Sequence, residues 1–168
     1  MRRLIVLLLL VAGCATLRTP PRAAALHREP VMTEEVRAKR EAELAEARAT
    51  FEKNPNDADA IVWLGRRTAY LGRYPEAIDI FTDGIRKHPR DARLYRHRGH
   101  RWITMREFDR AIADLEKAAA LTRGRPDEIE PDGQPNARNI PIGSLQTNIC
   151  YHLGLAHYLE GDFERALA

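Results

Sequence analysis

Gly65 and Gly99 stand 34 residues apart, and each opens a near-copy of one pattern. In the first copy Ile61, Leu64 and Gly65 are followed by Gly72, Tyr74, Ala77, Phe81 and Pro89. The second supplies Tyr95, Gly99, Phe108, Ala111, Leu115 and Ala118, and a third begins with Leu153, Gly154, Gly161, Phe163 and Ala166 and breaks off at Ala168. A fixed period of this size predicts stacked helical units, none of which buries its apolar face alone. Two unrelated hairpins would not repeat Gly-Arg-Tyr-Pro-Glu-Ala-Ile, from Gly72, as Arg-Glu-Phe-Asp-Arg-Ala-Ile, from Arg106.

Within the first copy, Ile61, Leu64, Thr68 and Leu71 recur at helical spacing and form one buried stripe. Gly65 lies inside that helix, where glycine costs about 1 kcal/mol relative to alanine. The compensation expected is close approach of the paired helix at Ala77. Gly72 suits a left-handed C-cap, and Pro75 suits the first turn of a second helix running to about His88, before Pro89.

These residues resemble the tetratricopeptide repeat, a helix-turn-helix unit used mainly as a protein-interaction scaffold. The resemblance covers roughly residues 56–123 and 147–168. It implies an all-α superhelix, an α-solenoid, with two full repeats in 56–123 and a truncated third in 147–168. It specifies fold far better than function, because the same scaffold serves unrelated partners. Residues 33–55 are rich in Ala, Glu and Arg, with Val36, Leu44, Ala47 and Phe51 on one weak stripe. They are expected to form an N-terminal capping helix over the first repeat.

The first residues read as an address. Arg2 and Arg3 precede a short apolar run that ends in Val11-Ala12-Gly13-Cys14. That is the layout of a secretory signal over residues 1–13, and the run falls short of the roughly 20 apolar residues a spanning helix needs. The last four residues resemble a bacterial lipoprotein box, which implies lipidation of Cys14 and a membrane anchor. Ala15, rather than aspartate, follows the cysteine, so the resemblance favours the periplasmic face of the outer membrane. Residues 14–32 carry Pro20, Pro21 and Pro30 without a helical stripe and read as a flexible tether, on the order of 25 Å long.

The formal charge is +3; without Arg2 and Arg3 the chain carries 25 basic and 24 acidic side chains. Such a balance gives no support to a nucleic-acid partner. There is no zinc-binding His-Glu-x-x-His pattern, phosphate loop or nucleophile elbow, so the expectation is a non-enzyme with no metal and no cofactor. The histidines read as surface or half-packed side chains. With Cys14 assigned to lipid, Cys150 is unpaired and is expected to be a buried, inert thiol.

In this repeat class the first helix of each unit lines a concave groove. The alignment projects Val62, Arg66 and Tyr70 there, then Arg93, Arg96 and His100, then Tyr151, Leu155 and Tyr158. The charged and aromatic members form the candidate partner-binding groove, suited to a peptide or protein segment with acidic and apolar side chains. Val62 and Arg66 stand where the chaperone-binding members begin their carboxylate clamp, so that role does not carry over. Arg67, Arg98 and Arg101 replace small or apolar residues and need carboxylates or an exit to water, Asp79 and Asp114 being candidates. A loop insertion over 124–146 separates the second and third repeats, and Glu128, Glu130 or Asp132 is expected to pair with the arginines. The alternative reading is the N-terminal recognition module of a longer envelope protein or enzyme.

Overall fold

A computed structural model describes residues 30–130 and 143–167. The segments expected to be a signal and, for the most part, a tether lie outside the described residues, as do Cys14 and Asp132. Seven helices follow in order: α1 (Glu34–Lys53), α2 (Ala58–Tyr70), α3 (Tyr74–Lys87), α4 (Ala92–Thr104), α5 (Phe108–Thr122), α6 (Leu145–Glu160) and α7 (Phe163–Ala166). Each packs on the next along the chain, while α4 also touches α2 and α6. The result is a tetratricopeptide-type solenoid in which α2, α4 and α6 are the first helices of successive pairs.

Local chemistry sets the ends. Asp57 and Asp91, 34 residues apart, cap α2 and α4 by accepting from the N–H groups of Asp59 and Arg93, each at 3.0 Å. Ser144 does the same for α6 through the N–H of Thr147 at 3.3 Å. The turn inside each pair needs a residue of positive φ. Gly72 (81°) and Gly161 (96°) supply it without strain, but at the matching place in the second pair Arg106 adopts φ 60°.

Packing explains the glycine period better than the expectation did. A Cβ on Gly65 would lie 2.4 Å from the ring of Phe81, not against Ala77. On Gly99 it would lie 2.9 Å from Leu115, the residue 34 places after Phe81. The second helix thus drives a bulky apolar side chain, Phe81 or Leu115, into the notch that glycine leaves in the first. Phe81 joins Ile61, Val62, Ala77 and Leu94 in one core cluster, and Ile103, Ala111, Leu115 and Ala156 form the next.

α1 packs Leu44 against Leu64 and Leu71 of the first pair. Its Glu43 meets Arg67 at 3.1 Å, which gives that guanidinium its partner in place of Asp79, an exposed residue. Arg98 does reach Asp114, with Nε and Nη2 each donating at 2.7 Å to the two carboxylate oxygens, and with Nη1 donating to Thr82 at 3.0 Å. Cys150 is exposed, contrary to expectation. The buried positions of α6 are Leu145, Ile149, His152, Ala156 and His157, and Cys150 sits about 100° round the helix from Ile149.

The insertion is closed at its base. The Glu130 N–H donates to the Gly143 carbonyl at 2.8 Å and the Leu145 N–H to Glu128 at 2.7 Å, around an antiparallel bridge between Ile129 and Ser144. Asp127 accepts from the Gln146 N–H at 2.9 Å and from the Ser144 hydroxyl. Those donors hold its carboxyl below the usual range, the serine contributing most.

Candidate functional site

The concave sides of α2, α4 and α6 enclose a cavity of about 500 Å³, with the base of the insertion as one wall. From α2 come Arg66 and Tyr70, from α4 Arg96, His97, His100 and Arg101, and from α6 Asn148, Tyr151 and His152. Helical spacing accounts for the pairs: Arg66 and Tyr70, or Arg96 and His100, are one turn apart and share a face. Glu130 enters from the insertion because the backbone bridge at Ile129 aims the next residue at α4.

The charges in the lining are mostly positive. The lining holds three guanidinium groups and, among the described residues, one carboxylate. Arg96 Nη2 donates to Glu130 Oε2 at 2.9 Å, and the pair is nearly sealed from solvent, at 9% and 11% side-chain exposure. Asn148 donates to the same oxygen at 3.0 Å. Arg96 Nη1 donates to His97 Nδ1 at 2.7 Å, which requires the proton of a neutral His97 to sit on Nε2. Arg96 Nε is buried with no partner among the described residues. Arg66 donates to the Tyr70 hydroxyl at 3.1 Å and lies over the ring of Trp63, 4.6 Å from its centroid.

Arg101 differs from its neighbours. It faces the ring of Tyr74 at 5.5 Å, and no carboxylate among the described residues pairs with it. Burial lowers its pKa to about 10, the facing tyrosine opposing and Arg96 and Arg66 adding to the fall. Desolvation likewise lowers the pKa of Arg96 against the pull of Glu130.

The histidines are more deeply placed than the sequence suggested. His97, His152 and His157 are buried, and His97 stacks on Phe81 with ring centroids 5.7 Å apart. His100 and His152 meet at 4.1 Å. Burial, reinforced by nearby arginines, pushes His97 and His100 far down and His152 to about 4, although a hydrogen bond to the Asn148 carbonyl pulls His152 the other way. All three are therefore neutral at pH 7.

Of the projected groove residues, Arg66, Tyr70, Arg96, His100 and Tyr151 converge on this cavity. Arg93 does not line it. It borders a separate hollow with Arg90, Arg125 and Glu128, where Asp91 and Asp59 grip it at 2.7 and 2.5 Å and raise its pKa, Asp91 foremost. Tyr158 is also elsewhere, exposed two turns beyond Tyr151 and edge-on to Phe163 at 5.5 Å. Val62 is core, and Leu155 packs with Ile103 and Ala156. Sequence projection missed Arg101, His152 and Asn148 as lining residues, and had left the carboxylate open among Glu128, Glu130 and Asp132, of which Glu130 meets Arg96. For Arg101 the signal was present as a charge at a position reserved for a small residue.

Among the described residues no cluster of histidine, cysteine and acidic side chains is arranged to hold a metal. The class defined by this arrangement is a stack of helical pairs of tetratricopeptide type. No family model matches the chain. Among solved structures, MamA matches with a TM-score of 0.57 at 18% identity, over 82% of this chain and 71% of that one. TTC0263, a thermophilic tetratricopeptide repeat protein from Thermus thermophilus, aligns at 20% identity with a TM-score of 0.42, over 79% and 80%.

Proposed function

We propose that this chain is a protein-interaction scaffold of the bacterial cell envelope, tethered to the membrane by lipid on Cys14 and facing the periplasm from the outer membrane. The cavity between α2, α4 and α6 receives a peptide or protein segment whose acidic side chains meet the arginines and whose apolar ones rest on Tyr70 and Tyr151. The observation that carries this reading is the concentration of three guanidinium groups in one concave lining that contributes a single described carboxylate. Arginine forks suit that task, since they give a carboxylate two parallel donors and are weakly hydrated. Arg93, already held by two aspartates, contributes little to capture.

Cross-linking and pull-down from envelope membranes tests the proposal, using the full chain with its anchor. Partners retained by wild type and lost from an Arg66→Gln/Arg101→Gln variant support it; an identical partner set in both refutes the cavity as the binding surface. Palmitate labelling that persists in Cys14→Ser refutes the anchor.

A further inference from the structure

A site that already grips one carboxylate shows which chemistry it recognises. Glu130 is held by Arg96 and Asn148 together, through one oxygen, in a nearly dry setting. Beside it on α4, Arg101 lies largely walled in by protein, keeps a partly exposed face, and borders the same cavity. Among the described residues its contact is the Tyr74 ring rather than a carboxylate. A guanidinium removed from water without an opposite charge is costly, and an oxyanion bound beside it offsets that cost. The cavity, at about 500 Å³, is within the size range of small-molecule sites and far larger than a single water needs.

We propose that the cavity binds a small free oxyanion, a phosphate or the carboxylate of a small acid, with Arg101 as its anchor and Glu130 as a built-in competitor for Arg96. This goes beyond the scaffold reading and needs no partner protein. Arg101 presents its fork to two oxygens of the anion. The neutral imidazoles of His100 and His152 wall the site without adding charge, so the preference for an anion comes from the arginines. Glu130 occupies the donors of Arg96 and thereby limits how many guanidinium groups the ligand engages. Removing its charge frees Arg96 for the incoming anion.

Isothermal titration calorimetry on the full chain in detergent, with inorganic phosphate and separately with succinate, tests the site. Ionic strength is held constant with sodium chloride. Wild type is expected to bind at least one of the two at one site per chain. Arg101→Gln is expected to weaken that binding about tenfold or more, while Glu130→Gln tightens it. For a site of about 1 mM, about 10 mM ligand also raises the melting temperature by roughly 4 °C over chloride. Should Arg101→Gln fail to fold, Arg101→Lys keeps the charge but loses the fork and is expected to bind more weakly than wild type. Heats indistinguishable from those of added chloride, or unchanged affinity in the Arg101 variants, overturn the proposal; unchanged or weaker binding by Glu130→Gln overturns the competition. Failure here leaves the pull-down comparison untouched, because that experiment reads protein partners rather than free anions.

Discussion

Replacing Arg98 with leucine, the residue type expected at its place in the repeat, should destabilise the protein, although it makes the packing more typical. Arg98 sits between the two pairs with 18% side-chain exposure, its fork closed on Asp114, which is only 8% exposed. Removing one member of such a pair leaves a desolvated charge and costs about 3–5 kcal/mol. The residual exposure of Arg98 places the expected loss near the lower limit, about 3 kcal/mol, or a fall of about 10 °C in melting temperature. Asp114→Ala should cost less, about 2 kcal/mol, because the freed guanidinium keeps Thr82 and a route to water. The double variant removes both charges together and should lose only about 1–2 kcal/mol, giving a coupling of about 3–4 kcal/mol. Urea unfolding of the four proteins, compared at equal m-value, measures that coupling. Additive losses, within about 0.5 kcal/mol, would refute the claim that the cost lies in an orphaned charge.

Gly65→Ala should lose about 1–2 kcal/mol, because a methyl group 2.4 Å from Phe81 overpacks the notch by more than improved helix propensity returns; Phe81→Leu should recover part of it in urea titrations. Arg106→Gly should raise stability by about 0.5–1 kcal/mol by relieving a positive φ on a non-glycine residue, and an unchanged melting temperature would count against strain there. Stability should fall on acidification below pH 6.5. The unfolded chain protonates its histidines there, while His97, His100 and His152 stay neutral in the fold. For His152 the loss is about 1.4 kcal/mol per pH unit, levelling off near pH 4, and His152→Phe should flatten the slope measured by unfolding at several pH values.

How far the sequence revealed this molecule depended on how local each signal was. Helix limits and turns are local, and Gly72, Pro75 and Pro89 mark them within a few residues of where they fall; the capping aspartates Asp57 and Asp91 are equally local signals that went unread. The repeat offset likewise carried Arg66, Arg96 and Tyr151 onto one concave face. Asp114, the partner of Arg98, lies within the repeat and was legible, but two other arginine partners are not local: Glu43, 24 residues before Arg67, and Glu130, 34 residues after Arg96, are brought in by α1 and by the insertion, elements outside the repeat. Arg93 was misjudged because a helix-capping aspartate two residues earlier draws it sideways. Cys150 shows the limit of the offset itself: one residue of helical phase separates the buried Ile149 from solvent.

The backbone clip at Glu128–Glu130 and Gly143–Leu145 has a consequence for how this chain tolerates change. By tying the entry and exit of the insertion together just before α6, it fixes the start of the third helical pair. Closing a longer loop costs only about 0.6 kcal/mol per doubling of length. Segments of different length and composition can therefore be exchanged at that point without altering the spacing of the pairs. The array behaves as a rigid ruler with a socket at one mark, beside the arginines, where a new specificity can be plugged in while the ruler keeps its divisions.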